Sequence, residues 1–472
     1  MTDENKKIIT SFIVSILIVF SAFFVFYDLG KQSLHPWDEA WYASISRNII
    51  ESKNIFDLKF NTFAYWDHPP LGFYFESLAF LIFGINDFSA RFSQATLGIV
   101  TIVLIFLTGK KIKNNWVGFS SALILLSSRW FLFRARTGNL DILLTCSQIL
   151  VFYFVLNPKF KRHLYLLWAA FAFSLLSKSL ISFTLAPLLI YPSWQLLQEK
   201  KINKHDIYRS AALFVLILSP WYLVNTGQYG AKFLKRNLFE IGFREGSSNG
   251  VGLKTINKTL NYLHAACHKW FKLFLISTVG LSILTFFTKN KNNLQLLGYL
   301  LLTSFPYFIS SKTEIWHLIP ILAPLSLIIS VFLFTLIEFF SSKFLPKIIL
   351  ITGIIIMSSY FLHSYWFEFI KNSNGVSDIA ILAPQLLTDR NVFISNEEYY
   401  TSFIFYADLD RPILLINKYD YQKTCQENFG DFYLIAMEGD WFDKLNVKKQ
   451  LIAKQANFKI YHFQDQLCEK NL

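Results

Sequence analysis

Residues 69–84 read PPLGFYFESLAFLIFG, and the topology of the whole chain turns on whether they cross a membrane. The run is apolar, but it opens on Pro69 and Pro70, carries Glu76, and falls short of the roughly 20 apolar residues that a bilayer core requires. Around it, candidate spans lie near 8–27, 93–110, 115–133, 142–157, 163–177, 180–198, 210–226, 270–288, 293–310, 316–340 and 347–367. Charge decides between the alternatives. If 69–84 does not span and the N-terminus with Lys6 and Lys7 is cytoplasmic, the cytoplasmic turns hold Lys110, Lys111, Lys113, Lys159, Lys161, Arg162, Lys200, Lys201, Lys204, Arg209, Lys289, Lys291, Lys343 and Lys347. The opposite short turns hold only Arg134, Arg136, Lys178 and Lys312. That is the positive-inside bias, and a spanning 69–84 would invert it. The segment is therefore expected to be a juxtamembrane or shallow re-entrant helix in a protein of about eleven spans.

Composition agrees. Of 472 residues, 53% are apolar and 16% charged, against about 25% charged in soluble domains, which excludes an ordinary cytosolic protein. The net charge of +13 is sorted by side, so it reports topology and gives no reason to expect nucleic acid as a partner. The fold class expected is a polytopic α-helical membrane protein: a catalytic transmembrane domain over 1–367, with extracytoplasmic loops at 28–92 and 227–269, and a small α/β extracytoplasmic domain over 368–472. The loop 227–269 is basic through Lys232, Lys235, Arg236, Arg244, Lys254 and Lys258, an exception that longer loops tolerate. The first span has charges before it but no small-residue cleavage site after it, so it is taken as an anchor. In the tail, β-type runs at 391–394, 412–416, 432–436 and 458–463 alternate with helix-like segments at 376–388, 396–406 and 441–455. No glycine-rich phosphate loop occurs there, so its role is expected to be structural or partner-binding. Cys425 and Cys468 lie on the oxidising side and could pair.

The chemistry-bearing residues gather on the non-cytoplasmic face. His35-Pro36-Trp37-Asp38-Glu39-Ala40-Trp41-Tyr42 leads into a surface helix, since Trp41, Ile45 and Ile49 recur every four residues. Asp38 is either a reactive carboxylate or simply the N-cap that Asp favours. In Tyr65-Trp66-Asp67-His68-Pro69-Pro70, the proline pair holds the preceding residues extended and presents Asp67 and His68 in fixed directions, unless they are solvated loop residues. Arg134, Arg136 and Asp141 flank a span end, Lys178 sits in an apolar block, and Lys312, Glu314 and His317 share SSKTEIWHLIP. A charge at the bilayer centre costs about 2.5–3.5 kcal/mol, so such lysines are functional candidates, with snorkelling as the plainer alternative.

The order of these pieces over about 10–340 resembles the GT-C polyprenyl-phosphate-sugar glycosyltransferases, in the branch of protein O-mannosyltransferases and lipid A aminoarabinose transferases. Asp38-Glu39-Ala40-Trp41-Tyr42-Ala43 is similar to the family's first-loop acidic motif except at Trp41, and Asp67-His68-Pro69-Pro70 to its acidic/basic-Pro-Pro motif. Gly84-Ile85-Asn86-Asp87-Phe88-Ser89-Ala90-Arg91, Ser177-Lys178-Ser179, Pro220-Trp221-Tyr222 and the Lys312–Pro320 stretch resemble further family elements. His68 stands where the aminoarabinose transferases carry Lys, and His317 where they carry Tyr, which favours the mannosyltransferase-like branch.

The resemblance implies transfer of a sugar from a polyprenyl-phosphate donor to a hydroxyl on a lipid, glycan or protein acceptor, outside the cytosol at the inner (plasma) membrane. Asp38 is the expected base, with Glu39 or Asp67 orienting the acceptor, and such a base contributes about 10²–10⁴-fold. Lys312 and Lys178 are expected to meet the departing phosphate, with Arg136, His68 and His317 in support. Single displacement with inversion is expected, and no nucleotide site. A divalent metal bridging Asp38, Asp67 and His68 is conceivable, although that ligand set is not diagnostic. The rival class is a lipid or solute transporter or flippase, which would favour internal repeats and charges buried mid-span.

Overall fold

A computed structural model describes residues 3–178, 180–241, 253–341, 343–371, 377–385, 390–419, 421–428, 431–442 and 449–464. The chain divides into two compact units. One comprises 1–27, 66–72 and 92–372; the other comprises 28–65, 73–91 and 373–472.

The first unit is helical. Among the described residues, seven stretches are long and apolar enough to cross a bilayer: Lys7–Phe26, Asp87–Ile112, Leu180–Gln198, Lys204–Tyr229, Leu253–Thr288, Ile315–Phe340 and Phe344–Trp366. Ile315–Phe340 is the central one, 89% buried, whereas Lys204–Tyr229 is 11% buried and keeps Leu216 and Leu223 on the outside, as a lipid-facing helix would. Helix starts follow ordinary capping chemistry. Asn114 accepts from Val117 N, and Asn203 and Asp206 bond reciprocally across the first turn of Lys204–Tyr229. Close approach needs small residues at one corner: a Cβ on Gly118 would collide with the Phe106 carbonyl.

Four further expected spans fall outside that set. The run 115–133 is two helices, Asn115–Leu126 and Arg129–Ala135, bent by 74°. Ser127 and Ser128 both donate to the Ile124 carbonyl, and Ser128 has extended backbone, so the ladder stops and restarts there. Counted as one span, the pair would bring the number to eight. The runs 142–157 and 163–177 are helices of 15 and 17 residues, Asp141–Val155 and Lys161–Ser177, and 293–310 is Lys291–Ile309. Within 180–198 the first ten residues are 3₁₀ helix around Pro187, which has no N–H to continue an α-helix. The loop 227–269 is largely helical where described, running through Ala231–Leu234, a π-turn at Lys235–Ile241, and Leu253–Cys267; Arg244 lies outside the described residues.

The second unit joins the tail to the first loop. After a short hairpin, β1 (Lys59–Phe60) and β2 (Phe63–Ala64), the tail strands are β3 (Val392–Ile394), β4 (Ile413–Leu415), β5 (Asp431–Met437), β6 (Lys449–Gln455) and β7 (Phe458–Gln464). They form one mixed sheet in the order β4-β3-β5-β7-β6, with β3 parallel to β4 and β5, and β7 antiparallel to β5 and β6. Alternation places Val392, Ile394, Tyr433 and Ile435 on one face with Ile379, Leu382 and Phe403 from helices Asp378–Leu382 and Tyr400–Ala407. Phe393, Phe432 and Leu434 on the other face pack on Tyr421 and Cys425 of helix Tyr421–Glu427. Expectation failed at 441–455. Residues 449–455 are the edge strand β6, and 443–448 lie outside the described residues. The helix expected at 396–406 starts at Tyr400, after a turn. The pairing expected of Cys425 involves Cys468, which lies outside the described residues.

Candidate functional site

In the second unit, helix Asp38–Ser52 carries both first-loop acids in its first turn. The cap position belongs to Trp37, so Asp38, half-buried, is the first helical residue and not the N-cap. Glu39 is 3% exposed and locked. Its oxygens accept from Arg91 Nε at 2.7 Å and Nη2 at 2.9 Å, and from His35 N at 2.8 Å. Arg91 also donates to the carbonyls of Leu29, Gln32 and Ser33. A fork of this kind fixes direction as well as charge. These bonds tie Glu39 to Arg91 and to the chain ahead of Asp38.

Behind that helix, Glu76 of helix Leu71–Phe83 is 5% exposed; its Oε2 accepts from Ser46, while Oε1 finds no hydrogen-bond partner in the described structure. Burial pushes its acid well above the ordinary value of 4.5, the Glu39 carboxylate adds to this, and the Ser46 bond opposes it. The sign follows: above pH 4.5 the folded state holds a proton that the unfolded state releases, so stability falls as pH rises towards the folded value. Glu76→Gln is expected to flatten that decline, which melting curves at pH 5 and pH 8 would read. An unaltered difference between the two pH values would exclude Glu76 as its source.

In the first unit, the segment from Trp66 to Pro70 is stitched down on both sides. Asp67 pairs with Arg236, Nε to Oδ1 at 2.7 Å and Nη2 to Oδ2 at 3.0 Å, and the Trp66 carbonyl accepts from Asn237 at 2.6 Å. The pairing with Asp67 raises the Arg236 guanidinium further above its usual range. His68 Nδ1 lies 2.7 Å from the Lys178 carbonyl. A carbonyl only accepts, so Nδ1 carries the proton and Nε2 is the acceptor nitrogen. Asp67 and His68 are thus held by partners on other segments of the chain.

The carboxylate at the centre of the first unit's charges is Asp141, which sequence reasoning noted but did not select. It opens helix Asp141–Val155, 0% exposed, with its first amides capped by Asn139 Oδ1. One oxygen takes the Lys178 ammonium; the other takes Arg134 through Nη2 at 2.6 Å and Nε at 3.1 Å. Two cations thus share one carboxylate, leaving the knot positive. The electrostatic neighbours of His317 are Lys178, Asp141, His68 and Arg134. His317 Nδ1 accepts from Glu314 N at 3.2 Å, so its proton sits on Nε2 as a donor. Lys178, His68 and His317 are thus brought together, joined by Arg134 and Asp141.

Arg136 and Lys312 are the two other residues expected to meet the phosphate. Arg136 donates to the carbonyls of Phe24 and Tyr27 at 2.7 Å and of Val25 at 3.1 Å. Phe24 and Val25 lie in the last turn of helix Asp3–Phe26 and Tyr27 follows it, so Arg136 caps that helix end. Lys312 is exposed in the turn after Lys291–Ile309, where the neighbouring Glu314 pairs with Lys258 at 3.2 Å. Arg236 was legible only as part of a basic loop that broke the charge bias. Among the described residues, no group of three or more His, Cys, Asp or Glu is arranged to hold a metal ion.

Residues 67–223 match the family described as dolichyl-phosphate-mannose-protein mannosyltransferase. The chain is 26% identical over 344 residues to the undecaprenyl phosphate-alpha-4-amino-4-deoxy-L-arabinose arabinosyl transferase of Wigglesworthia glossinidia brevipalpis, covering 70% of this chain and 60% of that one. It is 28% identical over 225 residues to an uncharacterized protein of Aquifex aeolicus (strain VF5), covering 46% and 45%. The matched region is thus 45–60% of these two relatives' own lengths. In fold, the chain is similar to the crystal structure of ArnT from Cupriavidus metallidurans bound to undecaprenyl phosphate, with TM-score 0.74 and 14% identity over 97% of this chain and 99% of that one.

Proposed function

We propose, from this chain's kinship with the GT-C polyprenyl-phosphate-sugar glycosyltransferases, that it moves a sugar from a polyprenyl-phosphate donor to an acceptor hydroxyl at the extracytoplasmic face of the inner membrane. The observation that carries this is the knot of Lys178 and Arg134 on Asp141, with His68 and His317 in its field. A lipid phosphate needs such a place, and fixed cations do most where charge develops in the transition state. Asp38 takes the acceptor proton, the acceptor oxygen attacks the anomeric carbon, and the bond from that carbon to the phosphate oxygen breaks. The phosphate leaves with the electron pair and meets Lys178, Arg134 and the Nε2–H of His317. One displacement inverts the anomeric centre. Arg236, held by Asp67, supplies a further cation from the second loop.

In this proposal the N-terminus is cytoplasmic, 1–367 is the catalytic domain with its full set of about eleven crossings, and the tail from 368 is extracytoplasmic. Neither the sugar, pentose or hexose, nor the acceptor is assigned. Lys178→Gln tests the phosphate role by retention of radiolabelled undecaprenyl phosphate on the purified protein. A charge-assisted hydrogen bond is worth about 1.5–3 kcal/mol, so affinity is expected to fall roughly tenfold or more. Unchanged affinity would remove Lys178 from the role.

A further inference from the structure

The backbone just ahead of Asp38 is strained. Trp37 has φ +70° and ψ −126°, a combination open to glycine and costly for a bulky side chain. The nearby Lys53, at φ +53° and ψ +25°, is by contrast an ordinary left-handed helix end. Such a conformation persists only where the surroundings over-determine it. Part of that determination comes from the arginine fork on Glu39. The rest comes from the tail, within the same compact unit. Ser377 N donates to Ser33 Oγ at 2.7 Å, Leu34 N donates to Tyr406 Oη at 2.6 Å, and Trp37 N donates to Thr401 Oγ1 at 2.7 Å. Three tail residues, more than 340 positions away in sequence, thus register residues 33–37. The consequence is local and chemical. With the cap at Trp37, Asp38 sits at the first helical position, and its placement depends on the Trp37 backbone that Thr401 holds.

We propose that the tail is a positioning element for the reaction, and that Thr401, acting through Trp37, is a positioning residue for the base Asp38. This rests on the proposed role of Asp38 and assigns the tail a part in turnover beyond structure or partner binding. The test uses the full chain in lipid nanodiscs, with undecaprenyl-phosphate-linked 4-amino-4-deoxy-L-arabinose or mannose as donor probe and a cell-envelope extract as acceptor. Thr401→Val keeps the shape and removes the acceptor oxygen; kcat is expected to fall about tenfold with donor KM within about twofold. Thr401→Ser, which restores the oxygen, is expected to recover most of that loss. In a Trp37→Gly background the strained conformation is intrinsically accessible, so adding Thr401→Val is expected to cost no more than about twofold. An unchanged kcat in Thr401→Val, no recovery with Ser, or an equal loss in the glycine background would overturn the proposal. Should Thr401→Val fail to insert, Tyr406→Phe removes the bond to Leu34 N instead; a several-fold lower kcat supports the proposal and an unchanged one overturns it. Retained turnover in Asp38→Asn would instead remove the base assignment itself, so the two failures are distinguishable.

Discussion

Asp38→Asn is expected to lower transfer from a polyprenyl-phosphate sugar by about 10²–10⁴-fold, the range a positioned general base supplies. The amide keeps the size of the side chain and the first-turn position but can no longer take the acceptor proton. The buried ion pair between Glu39 of the same helix and Arg91 is left untouched. The unfolding temperature is therefore expected to stay close to that of the parent while product formation collapses. Turnover at the parental rate would assign the proton to another group.

Asp141→Ala carries the second large effect, and it is one of stability. The Asp141 side chain is 1% exposed, with the Arg134 and Lys178 side chains at 9% and 13%, so its removal takes from both cations the carboxylate they share. Breaking a buried pair in this way costs about 3–5 kcal/mol, more than the typical substitution. Reduced detergent-extracted yield and a much lower melting temperature are expected. Asp141→Asn is expected to fall between the two, since it keeps hydrogen-bond acceptance but not the charge. A parental melting temperature in the alanine variant would show that the cations are satisfied without Asp141.

Part of the fold was legible in the chain because apolar length and apolar spacing are local properties of sequence. The helix at Asp38 and the tail strands at 391–394, 412–416, 432–436 and 458–463 could be read from the spacing of their apolar residues. Tertiary events could not. The bend at Ser127 and Ser128 depends on serine hydroxyls turning back on the Ile124 carbonyl, and no proline announces it. β6 is an edge strand, mostly exposed, so it lacks the half-buried alternation that reveals a strand, and its lysines suit an edge that must not pair further. The bonds from Arg136 to the carbonyls that end the first helix join residues more than 100 positions apart, and no local pattern announces them. Asp141 looked like a span boundary, because only folding brings Lys178 and Arg134 to it. Thr401 carries no local signal at all.

The most direct measurement follows both ends of the donor at once. Undecaprenyl phosphate carrying ³²P and a ¹⁴C-labelled sugar is supplied to the purified protein in nanodiscs with a cell-envelope extract. If the cationic knot receives a leaving phosphate, ³²P stays with the free lipid while ¹⁴C passes to the acceptor, and both processes stop in Asp38→Asn. If the two labels remain on one molecule while the protein is folded and lipid-embedded, no glycosyl bond has been broken and the proposed chemistry is wrong.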